Sequence, residues 1–388
     1  MRLRLLTRSD AASWRAADAY APPLADALRL AFDRTARPDT SPEEFLAACA
    51  ILAPWLDARV ANQQRVRVCY LFARGCEVGR EYAPAIHWVD EALVAAARAH
   101  AWGEMVELLT VRGRLQRALD NYRAAADDLN ACLTLLYLHA DREEDLDPVF
   151  RLDLLAHLAS FEFFLAHYQS ALRLVRQARR LIPLVPALPL AAASVLWADA
   201  HLERTRGRPE RALLLAMTAA DIHAREASLS SQVRMETFVA EVVLDLVERV
   251  PGDGSVNRAP LLMLAGGHLR KAERLAREAD DRLGAALAKL ARVREGRLRG
   301  RNDDRVGAIE GVIRTARRMD NVALHAQALT RLGGELEAAG EDERARNCWR
   351  EALTVLEGSE VPALKHEPRR KLLLASEFDL IPLNDLGV

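Results

Sequence analysis

The strongest constraint on the fold is a run of small residues whose spacing recurs along the chain. In the clearest copy, Leu332 and Gly333 are followed by Gly340 seven residues after the glycine, by Ala345 five residues later and by Trp349 after four more. Small residues let two helix backbones approach closely, and a large aromatic side chain fills the space beside them. The spacing therefore predicts antiparallel helix pairs packed side by side.

Earlier segments repeat this spacing around an alanine near the start of the second helix of each pair. The anchor alanines are Ala85, Ala125, Ala171, Ala212, Ala272, Ala308 and Ala345, with intervals of 40, 46, 41, 60, 36 and 37 residues. The pattern resembles that of tetratricopeptide (TPR) proteins, whose period is about 34 residues, so we expect longer helices or turns here. The copies at Ala272 and Ala308 are the weakest, and the frame between residues 227 and 290 fits one irregular repeat or two.

The resemblance implies an all-α fold: a right-handed α-solenoid of stacked antiparallel helix pairs, a TPR-like superhelix in which each pair is stabilised by its neighbours. Composition agrees, because 51 % of the residues are hydrophobic but only 5 % are aromatic. We predict N-terminal capping helices over 1–60, about six to seven repeats over 61–358 with a hinge at 183–189 and a loop at 251–257, and a C-terminal capping helix and tail over 359–388. The tail either covers the last repeat or serves as a docking segment.

Charge and motif content argue against several functional classes. The chain has 54 basic and 55 acidic residues, a net charge of −1, which does not favour nucleic acid or an anionic membrane as a partner. No signal peptide or membrane span is recognisable, so we expect a cytoplasmic protein. The five cysteines show no CxxC spacing and are expected to be buried thiols. No phosphate-binding loop, HExxH motif or nucleophile elbow occurs, so we predict no catalytic residue, no metal and no cofactor.

The resemblance also implies a binding groove. In TPR arrays the first helix of each pair lines the concave surface, and the second, fifth, ninth and twelfth positions of the motif point into it. This frame, with His157 as an adjacent residue, gives the predicted partner-binding set Arg67, Tyr70, Arg74, Arg114, Arg117, His157, Ser160, Trp197, His201 and Arg204. Guanidinium groups bind carboxylates bidentately and aromatic rings supply contact area, which favours an acidic protein or peptide. In the competing interpretation, the arginines pair with Glu77, Glu107 and Asp153, and Trp197 belongs to the core.

The long, degenerate repeats are also similar to the TPR sensor regions of bacterial MalT-type and AfsR-type regulators. The chain departs from those proteins in showing neither a nucleotide-binding domain nor a helix-turn-helix in its first 60 residues. We predict a non-catalytic scaffold or adaptor that binds a partner protein or peptide segment in the concave groove. The alternative is a bacterial regulator whose superhelix senses a peptide or small ligand. An enzyme or nucleic-acid binder is disfavoured, and the oligomeric state stays open.

Overall fold

A computed structural model describes residues 62–78, 81–119, 121–139, 148–185, 189–250, 257–301, 304–359 and 361–376. Within these ranges the chain forms fifteen α-helices and two short 3-10 helices, and it has no strand. It divides into two units, residues 1–154 and 155–388. The predicted capping helices over 1–60, most of the predicted loop at 251–257 and the tail beyond residue 376 lie outside the described ranges.

The described part of unit 1 contains two helix pairs and the beginning of a third. The first pair is α1 (Asn62–Val78) with α2 (Tyr82–Arg98), and the second is α3 (Trp102–Ala118) with α4 (Tyr122–His139). Helix α5 (Pro148–Phe164) begins in unit 1 and ends in unit 2. The helices of each pair are joined by three-residue connections, which makes them antiparallel neighbours.

Unit 2 continues the same arrangement. Its helices are α6 (Tyr168–Leu181), α7 (Pro189–Thr205), α8 (Pro209–Glu226), α9 (Leu229–Arg249), α10 (Ala259–Glu278), α11 (Arg282–Leu298), α12 (Arg305–Arg318), α13 (Val322–Ala338), α14 (Asp342–Val355) and α15 (His366–Ser376). The 3-10 helix Ile182–Leu184 occupies part of the predicted hinge, and a second, Pro362–Lys365, precedes α15. Successive helices pack against one another, which confirms the predicted all-α, TPR-like solenoid.

The anchor alanines fix how the second helices pack. Six of the seven occupy the fourth residue of α2, α4, α6, α8, α12 or α14, and five of these six are essentially inaccessible to solvent. Ala272 differs, because it is the fourteenth residue of α10. Helices α9 and α10 have 21 and 20 residues, longer than the other described helices, and they form one extended pair between residues 227 and 280.

The glycine and the tryptophan of the clearest motif copy form one packing unit. Trp349 of α14 is only 1 % exposed. A Cβ atom placed on Gly333 of α13 would lie 2.2 Å from the indole nitrogen of Trp349. That nitrogen donates a hydrogen bond to the carbonyl oxygen of Thr330 at 3.3 Å. The absent glycine side chain therefore makes room for the indole between the two helices.

Local sequence also explains where several helices begin. Asp281, Asp304 and Asn321 each accept a hydrogen bond from the backbone N–H three residues ahead, at 2.7–2.8 Å. Such side-chain caps satisfy a donor that the first turn of a helix leaves unpaired. The caps therefore fix the residues at which α11, α12 and α13 begin.

The four cysteines within the described ranges behave as packing residues, whereas Cys49 lies outside those ranges. Cys69, Cys76 and Cys132 are buried, Cys348 is half-buried, and all four are free thiols. Burial raises the pKa of Cys132 to about 12 and that of Cys69 to about 11, which leaves both thiols protonated and unreactive. Among the described helices none is long and apolar enough to cross a bilayer.

Candidate binding surface

In unit 2 the first helices of successive pairs share one face. Arg204 of α7 donates to Asp245 of α9 at 2.6 Å, and Arg294 of α11 donates to Glu241 of α9 at 2.7 Å. Arg331 of α13 also reaches Glu241, at 3.0 Å. Packed helices lie about 8–10 Å apart, so α9 and α13 would be roughly twice that apart in a flat array. The side chains of Arg331 and Glu241 meet across α11, and we call the face that carries these contacts the inner face of unit 2.

A charge network crosses this inner face. Arg294 is 4 % exposed and lies 2.7 Å from carboxylate oxygens of Glu241, Asp245 and Glu248. Burial raises the pKa of Glu241, but the guanidinium groups of Arg331, Arg294 and Arg204 outweigh this effect and hold it at about 2. Glu241 is therefore ionised at neutral pH and joins three arginines from three helices.

Arg297 lies 2.8 Å from Glu248 and extends the network to the buried carboxylate of Glu335. Glu335 of α13 is buried, and its oxygens lie 3.3 Å from Arg297 of α11 and 3.0 Å from Arg305 of α12. Burial raises the pKa of Glu335 against the opposing effect of these arginines, and neither of its oxygens accepts a hydrogen bond within the described residues. The network as a whole comprises five arginines and four carboxylates: Arg204, Arg294, Arg297, Arg305, Arg331, Glu241, Asp245, Glu248 and Glu335. One positive charge is in excess.

An aromatic cluster adjoins Arg204. The ring of His201 on α7 stacks on Phe238 of α9 with 4.0 Å between centroids, and Trp197 meets it edge-on at 4.6 Å. Phe163 of α5 is 5.1 Å from the same imidazole. Burial, followed by the positive charge of Arg204, lowers the pKa of His201 to about 3, so the imidazole is neutral. Its Nε2 atom is buried without a hydrogen-bond partner in the part of the chain that the structure describes.

The predicted residues of unit 1 form a separate set. Arg74 of α1 and Arg114 of α3 both pair with Glu77, and the distance from Arg114 to Glu77 is 3.3 Å. These two arginines thus adopt the ion pairs of the competing interpretation. Tyr70 is half-buried, and burial raises its pKa despite the nearby arginines. Arg67 is half-buried on α1, whereas Arg117 is exposed in the last turn of α3.

The two predicted residues of α5 have local contacts. Ser160 donates its hydroxyl hydrogen to the carbonyl oxygen of Ala156 at 3.2 Å, within the same helix. The imidazole of His157 stacks near Phe161, with 6.4 Å between ring centroids. The structure therefore gathers Trp197, His201 and Arg204 into one cluster on α7, and the roles of all ten predicted partner-binding residues stay predictions.

The acidic partners on α9 were not among the residues predicted from the sequence. Glu241, Asp245 and Glu248 are spaced four and three residues apart, which places them on one face of a helix. That spacing was a detectable signal. The contact between Glu241 and Arg331 could not be detected from the sequence, because the two residues are 90 positions apart in the chain. Among the described residues no group of three or more His, Cys, Asp or Glu side chains is arranged to hold a metal ion.

No family model matches the sequence, and no curated protein does. Solved structures do resemble the fold. The apo form of the quorum sensor NprR from B. thuringiensis has 11 % identity and a TM-score of 0.65, with 90 % of this chain and 92 % of that chain covered. A Rap protein complexed with competence and sporulation factor has 13 % identity and a TM-score of 0.57, with 96 % and 99 % covered. The Rap conjugation gene regulator of plasmid pLS20, in complex with the Phr* peptide, has 10 % identity and a TM-score of 0.53, with 91 % and 98 % covered. At these identities the similarity concerns the fold, and this chain has the TPR-like helical solenoid of such regulators.

Proposed function

We propose that the chain is a non-catalytic scaffold that binds an extended segment of a partner protein, or a peptide, on the inner face of unit 2. The observation that carries this proposal is the aromatic cluster of Trp197, His201 and Phe238 beside a charge network with one arginine in excess. The cluster supplies contact area, and the network supplies guanidinium groups that can accept a further carboxylate.

The inner-face arginines are suited to binding because they are already positioned. Arg204 is 30 % exposed and is held by Glu241 and Asp245, and Arg331 is 22 % exposed and is held by Glu241, so each keeps some access to solvent in a fixed orientation. A guanidinium that is fixed before binding loses less conformational freedom when a ligand arrives. The favoured ligand is therefore a segment with a carboxylate close to an aromatic or aliphatic side chain.

The similar structures support this proposal through their ligands. One is described in complex with competence and sporulation factor and another in complex with the Phr* peptide. The fold of these structures matches that of this chain over more than 90 % of its length. A peptide-binding surface formed by the first helices of the pairs is therefore compatible with this fold. The residues on that surface in this chain are those of the inner face described above.

A peptide-display selection on the full chain tests the proposal. We expect enriched peptides to contain Asp, Glu or a free carboxyl terminus together with an aromatic or aliphatic residue. A representative peptide should lose about tenfold or more in affinity with Trp197→Ala and several-fold with Arg331→Gln. The matched control is Arg318→Gln, an exposed arginine on α12, which should bind like the wild type. Equal binding by all variants, each checked for folding by circular dichroism, would exclude the inner face.

A second candidate function is that of a peptide-responsive regulator. The contact between Arg331 and Glu241 joins helices two repeats apart, and a ligand carboxylate that competes for Arg331 would loosen it. A selected peptide would then change the radius of gyration measured by small-angle X-ray scattering. It would also stabilise the protein by about 2.7 kcal/mol at a concentration 100 times its Kd. Stabilisation with an unchanged scattering curve would favour the scaffold over the regulator.

A further inference from the structure

Helix α6 has a composition that no other described helix shares. It carries four arginines and no acidic residue, whereas each of the other fourteen described helices contains at least one Asp or Glu. Its apolar face is buried, with Ala171 and Val175 among the contacts. On the opposite face Arg173, Arg176 and Arg180 are exposed at i, i+3 and i+7. Like charges at these spacings repel one another and destabilise a helix, so the arrangement has a cost unless an anion compensates it.

The chain supplies little compensation of its own. Among the described residues, Arg173, Arg176 and Arg180 form no ion pair or side-chain hydrogen bond, and of the α6 arginines only Arg179 is paired, with Asp199 of α7 at 2.8 Å. Many of the other described arginines do form ion pairs, such as those around Glu241. Three neighbouring guanidinium groups on α6 are thus free to bind an external anion.

The positive surface continues from α6 to the turn between α7 and α8. Asp199 and Glu203 lie one helical turn apart on α7. Glu203 is buried, and it is approached by Arg206 at 3.3 Å and by Arg208 and Arg211 at 3.6 Å. One carboxylate shared by three arginines neutralises only part of their charge. Arg208 and Arg211 are each more than half exposed and keep donors directed to solvent.

The formal charge of this group of arginines is large compared with the net charge of the whole chain. We define the arginine surface as Arg173, Arg176, Arg179 and Arg180 of α6, Arg206 and Arg208 of the turn, and Arg211 in the first turn of α8. The carboxylates among them are Asp199, Glu203 and the exposed Glu210, which leaves a formal charge of +4 on a protein whose net charge is −1. The arginine surface lies on a second helix and a turn, apart from the residues of the inner face, so this inference goes beyond the proposed function.

We infer that the arginine surface binds an acidic α-helical segment of a partner protein, with Asp or Glu at i, i+3 or i+4, and i+7. The exposed arginines of α6 span about 10 Å along the helix axis, the length over which such acidic residues line one face of a second helix. Each guanidinium can hold a carboxylate bidentately. Nucleic acid fits less well, because the exposed Glu210 would face phosphates and the chain as a whole has no positive field to attract a polyanion.

Binding of defined peptides to the full chain tests this inference. The first probe is a helical peptide of roughly 20 residues, rich in Ala and Gln, with three Glu on one face. The second has the same composition but with its Glu residues spread around the helix, and the third is a short DNA duplex. The test variant is Arg173→Glu/Arg176→Glu/Arg180→Glu. The control is Arg98→Glu/Arg282→Glu/Arg318→Glu, which reverses three exposed arginines elsewhere and changes the net charge equally.

We expect the aligned peptide to bind the wild type and the control variant about tenfold more tightly than it binds the test variant. We also expect the wild type to bind the aligned peptide more tightly than the scattered isomer. Circular dichroism and the thermal midpoint of each variant show that the helices are retained. Equal affinity for the aligned and scattered peptides, or an equal loss in both variants, would overturn the inference, since only net charge would then matter. Tighter binding of the duplex than of the aligned peptide would replace the acidic helix with nucleic acid as the partner.

Discussion

At the scale of single residues, two adjacent glycines on α13 differ in how closely they are packed. A Cβ atom on Gly333 would collide with the indole of Trp349, whereas one on Gly334 would meet nothing within 4 Å. We expect Gly333→Ala to destabilise the protein by about 1–3 kcal/mol through overpacking. Gly334→Ala should stabilise it by roughly 0.5–1 kcal/mol, since alanine is the better helix former. Urea titration of both variants checks this, and a destabilised Gly334→Ala would contradict the packing described for α13.

His201 gives the stability of the protein a pH dependence between pH 7 and pH 5. Its pKa is lowered from an ordinary value of 6.5 to about 3, chiefly by burial, so the unfolded chain takes up a proton below pH 6.5 that the folded chain does not. Stability should therefore fall by about 2 kcal/mol between pH 7 and pH 5 on account of this residue. His201→Phe should remove that part of the slope. Urea midpoints of wild type and variant at both pH values measure the difference, and parallel slopes would show that His201 does not carry it.

At the scale of elements, helix α9 connects its neighbours through its acidic face. Glu241 has a pKa of about 2 in the folded protein against an ordinary 4.5, so the stability that it contributes is present above pH 4.5 and is lost as the pH falls toward 2. Glu241→Gln should cost on the order of 3 kcal/mol at pH 7 and progressively less below pH 4.5. Glu310→Gln, at an exposed pair 4.0 Å from Arg314, is the control and should have little effect. A cost for Glu241→Gln that is the same at pH 7 and pH 3 would contradict this account.

The same elements show what could be predicted from the sequence. Local spacing was sufficient to predict the helix pairs, since each of the alanines at 85, 125, 171, 212, 308 and 345 is the fourth residue of its helix. It placed Ala272 incorrectly within its helix, because the extra turns of α9 and α10 break the period. On the surface, spacing selected Trp197, His201 and Arg204, which lie on α7 itself. The partners of Arg204 come from α9, about 40 residues away, and no motif of one repeat encodes that pairing.

At the scale of the whole molecule, the two units should respond differently to mild acid. The described histidines whose pKa burial lowers are His201, His223 and His325, and all three belong to unit 2. Units of a repeat protein can unfold separately, because each repeat contacts mainly its neighbours. We expect a change from pH 7 to pH 5 to lower the urea midpoint of unit 2 more than that of unit 1.

Fluorine NMR of protein labelled with fluorotryptophan can resolve the two midpoints. Of the six tryptophans in the sequence, four serve as reporters: Trp88 and Trp102 for unit 1, and Trp197 and Trp349 for unit 2. His201→Phe supplies the control, since it should reduce the shift seen by Trp197 and Trp349 and leave the other two signals unchanged. Equal shifts for all four tryptophans would mean that the chain unfolds as one cooperative body.

The contact between Arg331 and Glu241 also bears on how such a chain can evolve. Solenoids commonly gain and lose whole repeats, because each repeat depends mainly on those beside it. Removing the pair α11 and α12 here would delete Arg294, Arg297 and Arg305, and would leave the four carboxylates of the network with only Arg204 and Arg331 as partners. The repeats of this part of the chain are therefore not interchangeable modules, and insertions or deletions are tolerated more readily in turns than as whole helix pairs.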